Sequence, residues 1–110
     1  MLYVHSSMKM AEVESAIRRA VLRHEAHLLS VMSMDHVFTA DLEKPHPAVH
    51  VFTICQPRLY GALLAADVRL SAFLPCRVSA VGVADGVELH SLTPRALSQV
   101  LNRPDLDRLL

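Results

Sequence analysis

Apolar residues recur along this chain with periods that change from segment to segment, and those periods predict the elements. From Lys9 to about Glu25, Val13, Ile17, Ala20 and Val21 fall at i, i+4, i+7 and i+8, the buried stripe of an amphipathic helix. Ser6 or Ser7 offers an N-cap, Arg18, Arg19 and Arg23 lie off the stripe, and Glu14 with Arg18 forms an i, i+4 pair. His24 closes the stripe, and the absence of a following Gly leaves the C-cap without an obvious residue. Leu2 to His5, ahead of the helix, has the makings of a short strand.

Beyond the helix the period shortens to two. His27 to Met34 reads as a strand with Leu29 and Val31 on one face and Met32 and Met34 on the other. Asp35 to Pro47 is a connector that Pro45 and Pro47 keep extended. Val49 to Ile54, rich in β-branched and aromatic residues, is the next strand. Pro57 can open a helix whose apolar face carries Leu59, Leu63 and Ala66. Asp67 to Ala72 reads as a loop, after which Phe73 and Leu74 plug the core. Arg77 to Val83 and Val87 to Leu92 are strands joined through the hairpin signal Asp85-Gly86. Thr93-Pro94 caps and opens a helix over Ala96, Leu97, Val100 and Leu101; Asn102 breaks it and Pro104 starts a last turn. The order β-α-β-β-α-β-β-α predicts a two-layer α+β domain, a mostly antiparallel sheet with helices on one face.

Length and charge narrow the class. At 110 residues the chain fits one domain spanning 1–110. Its 52% hydrophobic and 20% charged residues give ample core material, and the apolar surplus predicts a homodimer. A formal net charge of zero and only 5% aromatic residues argue against nucleic acid as a partner. No apolar stretch approaches the roughly 18 residues of a membrane span, so no membrane partner is expected. The first residues lack a basic start and an apolar run, which points to the cytoplasm. Two cysteines are too few for a disulfide scaffold.

Those two cysteines sit in paired signatures, Cys55-Gln56-Pro57 and Leu74-Pro75-Cys76, about twenty residues apart with a short helix between them. Together with Leu63, Ala66, Asp67, Leu70, Val87 and Thr93-Pro94, they make Val49 to Pro94 similar to the domain-of-unknown-function 302 family. The first helix and the strand after it fit the front half of that family more loosely. The resemblance implies a TBP-like α+β fold, often seen as a dimer, and no known activity; TBP-like describes the fold and does not imply DNA binding. The chain departs from the family where Ala26-His27-Leu28 replaces a Gly-Phe-like step, and in a short connector rich in His and Pro.

Cys55 ends one predicted strand and Cys76 begins another; if those strands are antiparallel neighbours, both thiols lie at one sheet edge. There they can serve as a redox pair, as a nucleophile with a resolving thiol, as two soft metal ligands, or as buried small hydrophobes. Of the seven histidines, neither His24 with His27 nor His46 with His50 has zinc-motif context; His36 with Cys55 or Cys76 is a composite metal candidate. Met32 and Met34, sharing a face, are candidates for pocket or interface lining. Asp67, Asp85 and Glu88 show no paired-carboxylate logic, Ser79 and Ser91 have no base nearby in sequence, and no phosphate-binding glycine loop is present. The leading reading is a small binding or sensing module. It holds a small molecule, a soft metal or a sulfur species near Cys55, Pro57, Pro75 and Cys76, with Met32 and Met34 lining the pocket. The alternatives are a thiol-dependent enzyme with Cys55 as nucleophile, and a purely structural dimerisation domain.

Overall fold

Five strands form a single sheet in the order β1-β5-β4-β3-β2, every neighbouring pair antiparallel, in a computed structural model that describes residues 2–34 and 47–109. They are β1 (Leu2–Ser6), β2 (His27–Ser33), β3 (Val49–Cys55), β4 (Cys76–Val83) and β5 (Gly86–Ser91). The helices are α1 (Met10–Arg23), α2 (Pro57–Ala66) and α3 (Pro94–Val100), with 3-10 turns at Val68–Ala72 and Pro104–Leu109. The α+β class and the order of elements read from the sequence both hold.

Among the described residues, α1 alone covers the sheet's centre. Val13 packs with Phe52, Ala80 and Val87, and Ile17, Leu28, Val31 and Leu89 close around them. Phe52, on the central strands and fully buried, anchors this core. The remaining helices build a second core of their own from Leu63, Leu70, Leu74, Leu97 and Leu106. The antiparallel ladder fixes where that lobe stands. β3 ends where β4 begins, and β5 ends there too, so α2 and α3 both leave from the same end of the sheet.

Local chemistry explains the boundaries that differ from the sequence reading. α1 starts at Met10, four residues after Ser6, because Ser6 is still paired with Val87 in β1. Lys9 takes the N-cap position and its backbone N–H donates to the Glu12 carboxylate at 3.3 Å, while the Ser6 hydroxyl accepts from the Met8 N–H at 3.1 Å. His24 is exposed at the C-cap and does not close the buried stripe. The helix ends in a Schellman motif in which Glu25, at φ 54°, takes the position usually held by Gly: Ala26 N–H donates to Val21 and Glu25 N–H to Leu22. Asn102, at φ 53°, ends α3 in the same way, through Arg103 N–H to Ser98 and its own N–H to Gln99.

β2 carries a bulge. Its pairing passes from Leu28↔Ile54 to Ser30↔Thr53, so Leu29 has no partner and stands 57% exposed. Leu28 and Val31, not Leu29 and Val31, therefore share the core face. The Asp67–Ala72 stretch is an ordered 3-10 turn capped by Asp67, whose carboxylate accepts from the Arg69 N–H at 3.0 Å. Val83 pairs with Gly86, so Ala84 and Asp85 form the hairpin tip. Gly86, at φ +147°, lies in the flank, where a Cβ would overlap the Ser6 carbonyl oxygen. The hairpin needs its glycine for the close approach of β1.

Candidate functional site

Cys76 stands opposite Ile54 in the ladder, and Cys55 is one residue further along β3. Strand alternation sends these two side chains from opposite pleats. At the sheet's end they nevertheless line one narrow apolar cavity of about 40 Å³, walled by Leu59, Tyr60, Leu63 and Leu74. A single water needs roughly 10–15 Å³, so this space takes only a few atoms. The chain turns sharply into α2 after Cys55 because the Gln56 side chain caps it, accepting from the Leu59 N–H at 2.7 Å. On the return, the Leu74–Pro75 peptide is cis, and Pro75 lines the cavity beside Cys76.

Cys76 also faces a second, larger cleft of about 320 Å³, between the end of the sheet and the helical lobe. Phe73, Leu92 and Leu97 supply its apolar surface, and Ser71, Arg77 and Ser91 its polar groups. Its volume lies within the roughly 300–1,000 Å³ of small-molecule pockets. The Ser91 hydroxyl donates to the Arg77 carbonyl at 2.9 Å, tying β5 to β4 at the mouth. Phe73, read from the sequence as a core plug, is instead half-exposed against this cleft; Leu74 does enter the lobe's core.

Both cysteines are free thiols. Cys55 is half-buried and Cys76 is exposed to the cleft; the partial burial of the Cys76 thiol pushes its pKa above the ordinary value of 9.0, and the nearby Cys55 adds to the rise. At neutral pH Cys76 is therefore a protonated thiol, a soft polar group in an apolar wall and not an activated nucleophile.

The lobe that forms one wall is fixed by Asp67. Its carboxylate accepts from Arg69 Nη2 at 2.6 Å and from Arg103 Nη1 at 3.1 Å, and Arg103 in turn pairs with Asp105 at 2.7 Å. The Arg69 side chain, then the Arg69 N–H, hold the Asp67 pKa down to about 2. One carboxylate thus joins the start of a 3-10 turn to the segment after α3.

The sequence-derived candidates separate in space. Cys55, Pro75 and Cys76 come together. Pro57 opens α2, is exposed and lines neither cleft. Met32 lies opposite Val51, four residues back along β3 from Cys55, or about 13 Å of strand, and Met34 is further still. Neither methionine reaches the cysteines. His36 lies outside the described residues. Among those residues, no three His, Cys, Asp or Glu side chains converge on a metal position. One neighbour escaped the sequence reading: His27 is the direct cross-strand partner of Cys55. Arg77, which follows Cys76 in the sequence, stands at the mouth of the larger cleft. Only the β2–β3 register could have revealed His27, and the bulge at Leu29 conceals that register in the sequence.

No curated protein matches the chain. The fold matches the crystal structure of an uncharacterized conserved protein DUF302 from Bacillus stearothermophilus, with a TM-score of 0.90 at 17% identity, covering 98% of this chain and 84% of that one. The family model for the domain of unknown function DUF302 matches residues 2–110, and the chain belongs to that family.

Proposed function

We propose that the chain is a small-ligand binding module whose ligand occupies the cleft beside Cys76. One observation carries this reading: the same thiol lines both the 320 Å³ cleft and the small apolar cavity behind it. Such an arrangement suits a ligand with a compact apolar body against Phe73, Leu92 and Leu97 and an acceptor group toward Ser71 and Arg77. A cytoplasmic setting fits, because a reducing compartment keeps both thiols free. Among the described residues no helix is long and apolar enough to cross a membrane.

A fragment screen read by backbone amide shifts tests the proposal. Binders should perturb Ser71, Phe73, Cys76 and Leu97 together, and Leu92→Arg, which fills the cleft from an exposed position, should abolish those shifts. Fragments that cluster elsewhere, or bind unchanged in Leu92→Arg, contradict it.

A second reading rests on His27. Directly opposed residues in an antiparallel pair have Cβ atoms about 4.5–5.5 Å apart, close enough for His27 to serve Cys55 as a base. This is the form a thiol-dependent enzyme would take here.

A further inference from the structure

Ala80 and Leu89 turn toward α1, so Ser79 and His90 lie on the reverse face of the sheet. In the sequence Ser79 has no base nearby; the β4–β5 register supplies one, because His90 is its direct cross-strand partner. The imidazole is held from two sides. Its Nε2 lies 3.3 Å from the Glu88 carboxylate, which also accepts from the Tyr3 hydroxyl at 3.1 Å, and the Tyr3 ring packs on the His90 ring with centroids 5.2 Å apart. An imidazole that donates to a carboxylate at Nε2 keeps the Nδ1 lone pair as an acceptor. Nδ1 is close to the backbone, and directly opposed residues have Cβ atoms about 4.5–5.5 Å apart, which puts the Ser79 hydroxyl within its reach. Among the described residues that hydroxyl has no hydrogen-bond partner to compete for it. The His90 and Glu88 side chains are half-buried and still open to a substrate.

We propose that Ser79, His90 and Glu88 act as nucleophile, base and positioning carboxylate in a second site on this face, one that hydrolyses small carboxylic esters. Ser79 Oγ attacks the ester carbonyl and its proton passes to His90 Nδ1. The bond from the carbonyl carbon to the leaving alcohol breaks, and His90 returns the proton to that alcohol. A water deprotonated by the same nitrogen then cleaves the acyl-serine, releasing the acid and restoring the hydroxyl. Arg77, exposed two residues before Ser79 and on the same face, is placed to meet the carbonyl oxygen as it gains charge. Val51, directly opposite Ser79, and Val81, two residues beyond it, select an apolar acyl group. Glu88 touches no reacting atom; it holds the imidazole in the tautomer that the transfer needs.

A fluorophosphonate probe and p-nitrophenyl butyrate, applied to the full chain, test the proposal. The expected results are ester turnover beyond one equivalent and a phosphonyl adduct that mass spectrometry maps to Ser79. Ser79→Ala should abolish both. His90→Gln and Glu88→Gln should each lower kcat about tenfold or more and leave KM unchanged, the mark of a lost proton transfer and not of lost binding. Ser15→Ala, exposed on α1, should match the wild type. Circular dichroism identifies a variant that fails to fold, and the position of the wild-type adduct then decides the matter. Turnover no faster than that of Ser79→Ala overturns the proposal. So does an adduct confined to other residues, or a Glu88→Gln chain that loses only KM. Fragment shifts at the Cys76 cleft are read separately, so either site can fail without the other.

Discussion

Gly86→Ala is expected to lower stability by about 3–5 kcal/mol, a large share of the roughly 5–15 kcal/mol that holds such a domain together. At φ +147° an L side chain is already strained. Its Cβ would also overlap the Ser6 carbonyl oxygen and come within 2.9 Å of the Ser6 carbonyl carbon and the Ser7 Cα. All of these are backbone atoms, so no rotamer change relieves the overlap. Either the hairpin or the end of β1 must move, and movement of β1 breaks the Ser6↔Val87 pairing next to a core residue. Urea unfolding measures the loss as a lower midpoint. Gly82→Ala is the control, because a Cβ there meets only Ala48 at 3.5 Å, an ordinary contact. Equal midpoints for the two variants would show that β1 does not press on the hairpin.

Asp67→Asn should lower the melting temperature at neutral pH and flatten its dependence on acid. The Asp67 side chain is only 6% exposed and is shared by Arg69 and Arg103. Its folded pKa of about 2 lies below the ordinary 3.8. A depressed carboxylate pKa means that the unfolded chain binds the proton more readily than the folded one. The stabilisation is therefore complete above 3.8 and is lost as the pH falls through about 2. The gap in melting temperature between wild type and Asp67→Asn should be widest near pH 5–7 and narrow towards pH 2. Asp105, also held down by Arg103, leaves both proteins with some residual acid sensitivity. A gap that stays constant across that range would mean that Asp67 acts through shape and not through charge.

Helix α1 was legible in the sequence because Val13, Ile17 and Val21 repeat at helical spacing, and Val13 and Ile17 pack on the sheet. The strands were legible through alternation and β-branching, and α2 and α3 through Pro at their first turns. The division into two cores was less plain. Leu59, Leu63 and Ala66 form an apolar face whatever they pack against, and nothing in that face says that its partners are Leu97 and Leu106 rather than the sheet. Glu25 at a position that favours Gly, and the bulge at Leu29, are tertiary choices that local propensity does not record. The cysteines were recognisable as a pair because both flank Pro at strand ends. Their common cavity depends on the cut of the sheet's end, and the separation of Met32 and Met34 from it depends on register. The Asp67 clamp joins residues 36 positions apart, beyond any local pattern.

Alkylating the native protein across pH 6–10 and locating the label by mass spectrometry tests whether Cys76 lines the proposed ligand cleft as a protonated thiol. Cys76 should be labelled without denaturant. The rate should be slower than that of a free thiol at neutral pH and rise with a midpoint above 9.0, because burial raises this pKa. A fragment bound in the cleft should slow it further. Labelling of Cys55 alone, fast at neutral pH and lost in His27→Ala, would rule out the Cys76 cleft as the reactive site and favour the enzyme. Labelling of Cys76 only after unfolding would remove it from the cleft altogether.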